Sequence, residues 1–228
     1  MSLLWEDPIA NSLKEEKSAD KKQEVVTPSA ATQEPDTKQP LDVSTNAAGN
    51  TGLESIEMGA KRIQVDDKQI IRIGSLEFKA LHTPGHASHH IAWGFNDAIF
   101  TGDVAGAKIQ NGPVLPACPP PDIDLEKWED SLKILEKENP KKMYLTHFGE
   151  HINIKSHIDE LRLALSDWSL WINEKRKIFL DDEILTKKFN EYVYKKMQAA
   201  KINDELISQY YAANPPYMSV AGLKRYWE

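Results

Sequence analysis

Seven histidines occur in the chain, and four of them crowd between His82 and His90, at positions 82, 86, 89 and 90. A carboxylate follows in Thr101-Gly102-Asp103, and another imidazole in Leu145-Thr146-His147. Imidazole and carboxylate donors together suit zinc, iron or manganese, so the chemistry these residue types point to is metal binding. Such a site needs its donors carried on rigid elements yet open to a ligand, and a loop at the end of a strand provides both.

The surrounding pattern predicts such elements. Leu76, Phe78 and Ala80 alternate with Glu77 and Lys79, the period of a half-buried strand. Pro84-Gly85 breaks it and turns the chain into His86. Ile91 to Phe95 is a second apolar run, and Asn96-Asp97 a turn pair. A third strand starts at Ala98 and is expected to end at Thr101-Gly102-Asp103. Upstream, Arg62 to Val65 and Gln69 to Ile73 read as a hairpin around Asp66-Asp67-Lys68. Downstream, Val104 to Cys118 reads as a Gly- and Pro-containing loop. Asp124 is placed to cap a helix carrying Leu125, Trp128, Leu132 and Leu135, which Asn139-Pro140 stops. Lys142 to Leu145 returns as a strand. Helical spacing then recurs from about Lys155 to Lys177, from Asp181 or Asp182 onward, and from Asp204 to Ala212. Strands come first and helices gather at the end.

Composition divides the chain. Between Glu6 and Glu77 there is no Phe, Trp or Tyr, and of 19 aromatic residues only Trp5 precedes Phe78, so the core belongs to the later part. Residues 11 to 60 are rich in Lys, Glu, Ser, Thr, Ala, Gln and Pro; such a stretch buries too little apolar surface to offset its ordering entropy and reads as disordered or linker. A net charge of −7 disfavours a phosphate-backbone partner. The single cysteine, Cys118, excludes an intramolecular disulfide and reads as a packing or loop residue. No apolar run is long enough to cross a bilayer, and a cytoplasmic location is expected.

Thr83-Pro84-Gly85-His86, Thr101-Gly102-Asp103 and Leu145-Thr146-His147, each after an apolar run and in this order, resemble the metallo-β-lactamase superfamily. The nearest resemblance is to hydrolases like hydroxyacylglutathione hydrolase (glyoxalase II), which Leu115-Pro116-Ala117, Pro119-Pro120-Pro121 and Asn214-Pro215-Pro216 also suggest. The resemblance implies an α/β fold: the second half of an αββα sandwich, with a helical C-terminal extension. It implies a metal-binding role for His86, Asp103 and His147, with Asp103 bridging two zinc ions as the catalytic carboxylate; iron or manganese could take the same donors. His90 matches a supporting position, His89 reads as a supporting or surface residue, His151 as a supporting or substrate-facing one, His82 as structural and His157 as solvated. The domains expected are a linker segment at 1–60 with a short apolar start, a half-domain at 61–178 and a helical extension at 179–228. One departure stands out. The family's H-x-H-x-D-H motif has no counterpart, since no histidine precedes His82. Each metal then keeps two protein ligands, whereas a catalytic zinc usually has three plus water. The activity implied is ester or thioester hydrolysis on a small-molecule substrate. The alternatives are a catalytically incomplete half that needs a separate N-terminal half or a second copy of the chain, and a mononuclear iron dioxygenase of the same superfamily. Neither nucleic acid nor membrane is an expected partner.

Overall fold

Eight strands and five helices are found among the described residues of the computed structural model, which are 55–58, 61–147 and 149–228. They fall within one compact unit, residues 41–228. The expectation of a linker over 1–60 lies almost entirely outside them. Its described part, β1 (Ser55–Met58), is a strand paired antiparallel with β2 (Lys61–Gln64).

A six-stranded sheet holds the rest of the β structure, in the order β3 (Ile70–Ile73), β4 (Leu76–His82), β5 (Ile91–Phe95), β6 (Ala98–Ala107), β7 (Lys142–His147) and β8 (Gly149–His151). Neighbours are antiparallel except β6 and β7, which run parallel and are joined by helix α1 (Leu125–Glu138). The expected hairpin between 62–65 and 69–73 does not form. β2 pairs with β1, while β3 turns at Gly74-Ser75 into β4, with Ile73 opposite Leu76. Gly74 takes the left-handed conformation (φ 61°) that this tight turn needs. Lys68 and Gln69 bond to Ala80 on β4, which commits that segment to the six-stranded sheet.

The two faces of this sheet differ. Leu81, Ala92, Ile99 and Leu145 point toward the helices and join the main core with Trp128, Leu132 and Leu135 of α1 and Ile158, Leu161, Leu165 and Ile172 of α2 (Ile154–Lys175). The opposite face carries Ile71, Ala80 and Ile91, buried with Val65, and Trp93 packed against them. Beyond these lie two stacked aromatic pairs on the same face, Phe78 with Phe95 at 4.9 Å between ring centroids and Phe100 with Tyr144 at 5.1 Å. Phe100 is 41% exposed and Leu76 44%, so this face is apolar but only partly shielded from water.

Helices α3 (Asp182–Ala199), α4 (Asp204–Ala213) and α5 (Pro216–Tyr226) complete the chain. Asp124, Asp181 and Asn203 each accept a hydrogen bond from a first-turn amide, at 2.9, 2.9 and 2.8 Å, as N-caps do. Asn139, in the left-handed region, ends α1. The composition of the elements is that of an α/β fold with a helical C-terminal extension, as expected. α5 was not anticipated; Pro216 occupies its first helical position, where the missing N–H costs nothing.

Candidate metal centre

His86, Asp103 and His147 are brought together. His86 stands on the β4–β5 loop just after Gly85, whose φ of 130° is closed to ordinary side chains. A Cβ on Gly85 would collide with the Trp128 backbone, so glycine lets the loop lie against α1. The Gly85 carbonyl also accepts the Asp124 amide at 2.9 Å. Asp103 lies between its partners: Oδ2 is 3.6 Å from His86 Nε2 and Oδ1 is 3.4 Å from His147 Nε2. Each carboxylate oxygen therefore faces one imidazole.

Asp103 is not at a strand end, contrary to expectation. β6 runs on to Ala107, but its register with β7 shifts twice, between Phe100 and Gly102 and again before Ala107. Gly102 and Gly106, with φ of 57° and 69°, make these irregularities possible. A distorted strand cannot give its backbone groups to the ladder, and side chains take them instead. The Asp103 amide donates to His90 Nε2 at 3.1 Å. The Val104 carbonyl accepts from the Trp128 indole at 2.7 Å, and the Ala105 carbonyl from His157 Nε2 at 2.8 Å. Three successive residues are held by three side chains from three different elements.

The donors' protonation follows from these partners. A carbonyl can only accept, so the 2.8 Å contact of His86 Nδ1 with the Ala117 carbonyl places the proton on Nδ1 and leaves the Nε2 lone pair toward Asp103. His90 has no lone pair to offer. Its Nε2 accepts from Asp103, so its Nδ1 donates to Thr83 Oγ1 at 2.9 Å. Thr83, fully buried, also accepts from the Ala92 amide at 3.1 Å and donates to the Leu81 carbonyl at 3.3 Å. Burial, with the nearby His86, pulls the His90 pKa down to about 4, which keeps the ring neutral and in this role.

The remaining histidines differ in part from expectation. His82 Nε2 donates to the Ser88 carbonyl at 3.2 Å. His89 is exposed. His157 is not solvated but 4% exposed, and burial lowers its pKa to about 4. His151 packs on it with ring centroids 5.1 Å apart, and both line a cavity of about 230 Å³ that His86, Asp103 and His147 do not border. Cys118 is fully buried, which pushes its thiol far above the usual range and suits a packing residue.

The donor set suits a cation in kind. Asp103 Oδ1 is shielded from water and accepts no hydrogen bond, with His147 Nε2 3.4 Å away; a cation there would satisfy the carboxylate oxygen. It is short in number. Among the described residues no group of three or more His, Cys, Asp or Glu side chains converges to hold an ion.

Comparison with known proteins identifies the family. The family model for the metallo-beta-lactamase superfamily matches residues 31–147, beginning earlier than the motifs alone suggested and ending on His147. A metallo-beta-lactamase fold-containing protein of Sulfurisphaera tokodaii is 35% identical over 122 residues, 54% of this chain and 46% of the relative. A hydroxyacylglutathione hydrolase of Rhodopseudomonas palustris is 32% identical over 95 residues, 41% of this chain and 35% of the relative. The chain thus spans less than half the length of these relatives. Among solved structures, an archaeal metallo-beta-lactamase superfamily protein from Sulfolobus tokodaii is 34% identical with a TM-score of 0.39, covering 42% of this chain and 38% of that one. With more than half of its length matched by the family model, the chain belongs to the metallo-beta-lactamase superfamily.

Proposed function

We propose that this chain supplies one share of a metal-dependent hydrolase site for a small ester or thioester, and that the share is completed by a complementary half bearing the H-x-H-x-D-H donors. The observation that carries the reading is Asp103 with one imidazole against each of its oxygens and, among the described residues, no group of three or more donors able to hold an ion. His86 with Asp103 Oδ2 would hold one ion and His147 with Asp103 Oδ1 the other. Bound there, a metal pair supplies Lewis acidity and lowers the pKa of a bound water toward neutrality. This chain's own residues orient that site: Ala117 fixes the tautomer of His86, and His90 holds the backbone of Asp103. The hydrolase assignment draws support from the hydroxyacylglutathione hydrolase similarity. The need for a complement draws support from the apolar sheet face carrying Phe78, Trp93, Phe95 and Phe100, which suits a second sheet packed upon it.

The test is complementation. The full chain is mixed with a separately produced N-terminal half of a superfamily hydrolase containing H-x-H-x-D-H, in zinc or manganese, and assayed on a generic thioester. Turnover is expected only in the mixture and is expected to vanish with Asp103→Asn. Turnover by this chain alone, or turnover in the mixture that survives Asp103→Asn, contradicts the reading.

A further inference from the structure

We propose that Asn214, in the helical extension, is a positioning residue for His86, acting through three consecutive carbonyls of the loop between β6 and α1. That loop has little regular structure beyond the Ala107–Leu115 bridge, so its conformation must be imposed from outside. The extension does this. Tyr210 on α4 accepts the Ile109 amide at 2.9 Å and donates to the Pro113 carbonyl at 2.6 Å. Further along, the carbonyls of Pro116, Ala117 and Cys118 are each met by a different group. Asn214 Nδ2 donates to Pro116 O at 2.7 Å. His86 Nδ1 donates to Ala117 O at 2.8 Å. The Cys118 carbonyl lies where a Cβ on Gly222 of α5 would stand, so only glycine admits it.

The Asn214 bond is well suited to its task. The residue is 8% exposed, and its backbone amide is spent on the Tyr210 carbonyl at 2.8 Å as the cap of α4. Its Oδ1 faces the Ser219 hydroxyl at 3.5 Å, which orients the amide so that the NH₂ meets Pro116. Holding the Pro116 carbonyl fixes the plane of the 116–117 peptide, so that only the φ and ψ of Ala117 lie between it and the next carbonyl, the acceptor of His86, and the Cys118 carbonyl packed at Gly222 restrains the chain on the other side. Without that acceptor a neutral imidazole favours the Nε2–H tautomer. The proton would then sit between His86 and Asp103 Oδ2, where the lone pair now points, and His86 would no longer be a donor to a cation. The C-terminal extension thereby sets the ligand character of a residue more than a hundred positions before it in the chain. The tautomer is a property of the metal-free protein, so this inference stands or falls separately from the hydrolase reading.

The experiment is ¹⁵N NMR of the His86 ring nitrogens in the metal-free full chain, at a pH where its histidines are neutral. The native chain is expected to show Nδ1–H. Asn214→Asp keeps the side chain's shape but offers no donor, and is expected to convert most of the population to Nε2–H. Tyr210→Phe, which frees the same loop at Ile109 and Pro113, is expected to retain Nδ1–H despite comparable destabilisation. Should Asn214→Asp not fold, Asn214→Ser shortens the arm and is expected to shift the same equilibrium. Retention of Nδ1–H in the Asn214 variant that folds overturns the proposal, as does equal loss of it in Tyr210→Phe.

Discussion

His157 shows how one buried ring reports on the whole fold through pH. Its folded pKa, about 4, lies below the ordinary value of 6.5 because burial penalises the cation. The unfolded chain therefore takes up the proton first. The stability held at neutral pH is lost as pH falls from about 6.5 to about 4, to the extent of about 3 kcal/mol for this group, and changes no further below that. His90 acts in the same direction. Urea unfolding across this window should show that His157→Gln has a shallower decline than the native chain; an unchanged slope would contradict the assignment. A second residue-scale prediction concerns Gly102, whose φ of 57° disfavours any side chain and whose Cβ would meet His90 Nε2. Gly102→Ala should cost about 1–3 kcal/mol in chemical denaturation and move the Asp103 amide resonance as its bond to His90 breaks. Much at this scale was legible: three short words, around His86, Asp103 and His147, pointed to residues that converge. The burial of His157 was not, because its acceptor, the Ala105 carbonyl, lies 52 positions away and no local pattern signals it.

Elements were readable where their signals are local. The alternation in Leu76–His82 and the Asp124 cap with Leu125, Trp128, Leu132 and Leu135 require no partner to be recognised, and both elements form as expected. Pairing is a different matter. β2 and β3 are separated by a plausible turn, yet they choose β1 and β4, since the choice depends on which neighbour completes a sheet. The continuation of β6 through Asp103 was hidden for a related reason: its backbone groups are satisfied by His90, Trp128 and His157, from outside the strand. At this scale the consequential contact is α4 on the loop after β6. Tyr210→Phe leaves the buried Ile109 amide without its acceptor and the half-buried Pro113 carbonyl without its donor. It should destabilise the chain by about 1–3 kcal/mol, measured as a lowered denaturant midpoint at constant slope. A loss of less than a few tenths would mean that the hydroxyl does not anchor the loop.

As a whole the molecule gathers His86, Asp103 and His147 beside one sheet, with helices against one face of it and a row of aromatic side chains on the other. No helix of the described residues is long and apolar enough to cross a membrane. If the row receives a complementary sheet, Phe100→Glu, at a 41% exposed position, should abolish thioester turnover in the mixture while leaving the isolated chain's unfolding midpoint nearly unchanged. Turnover in the Phe100→Glu mixture equal to the native would exclude this face. The central claim is that His86, Asp103 and His147 are a partial donor set. Its most direct test is a zinc titration of the metal-free chain against a chromogenic chelator, with Asp103→Ala alongside. The account predicts binding weaker than about 1 μM, or less than about 8 kcal/mol, that Asp103→Ala weakens further. Tight binding of two ions per chain, lost in Asp103→Ala, would show that the site is complete without a partner and would contradict the account.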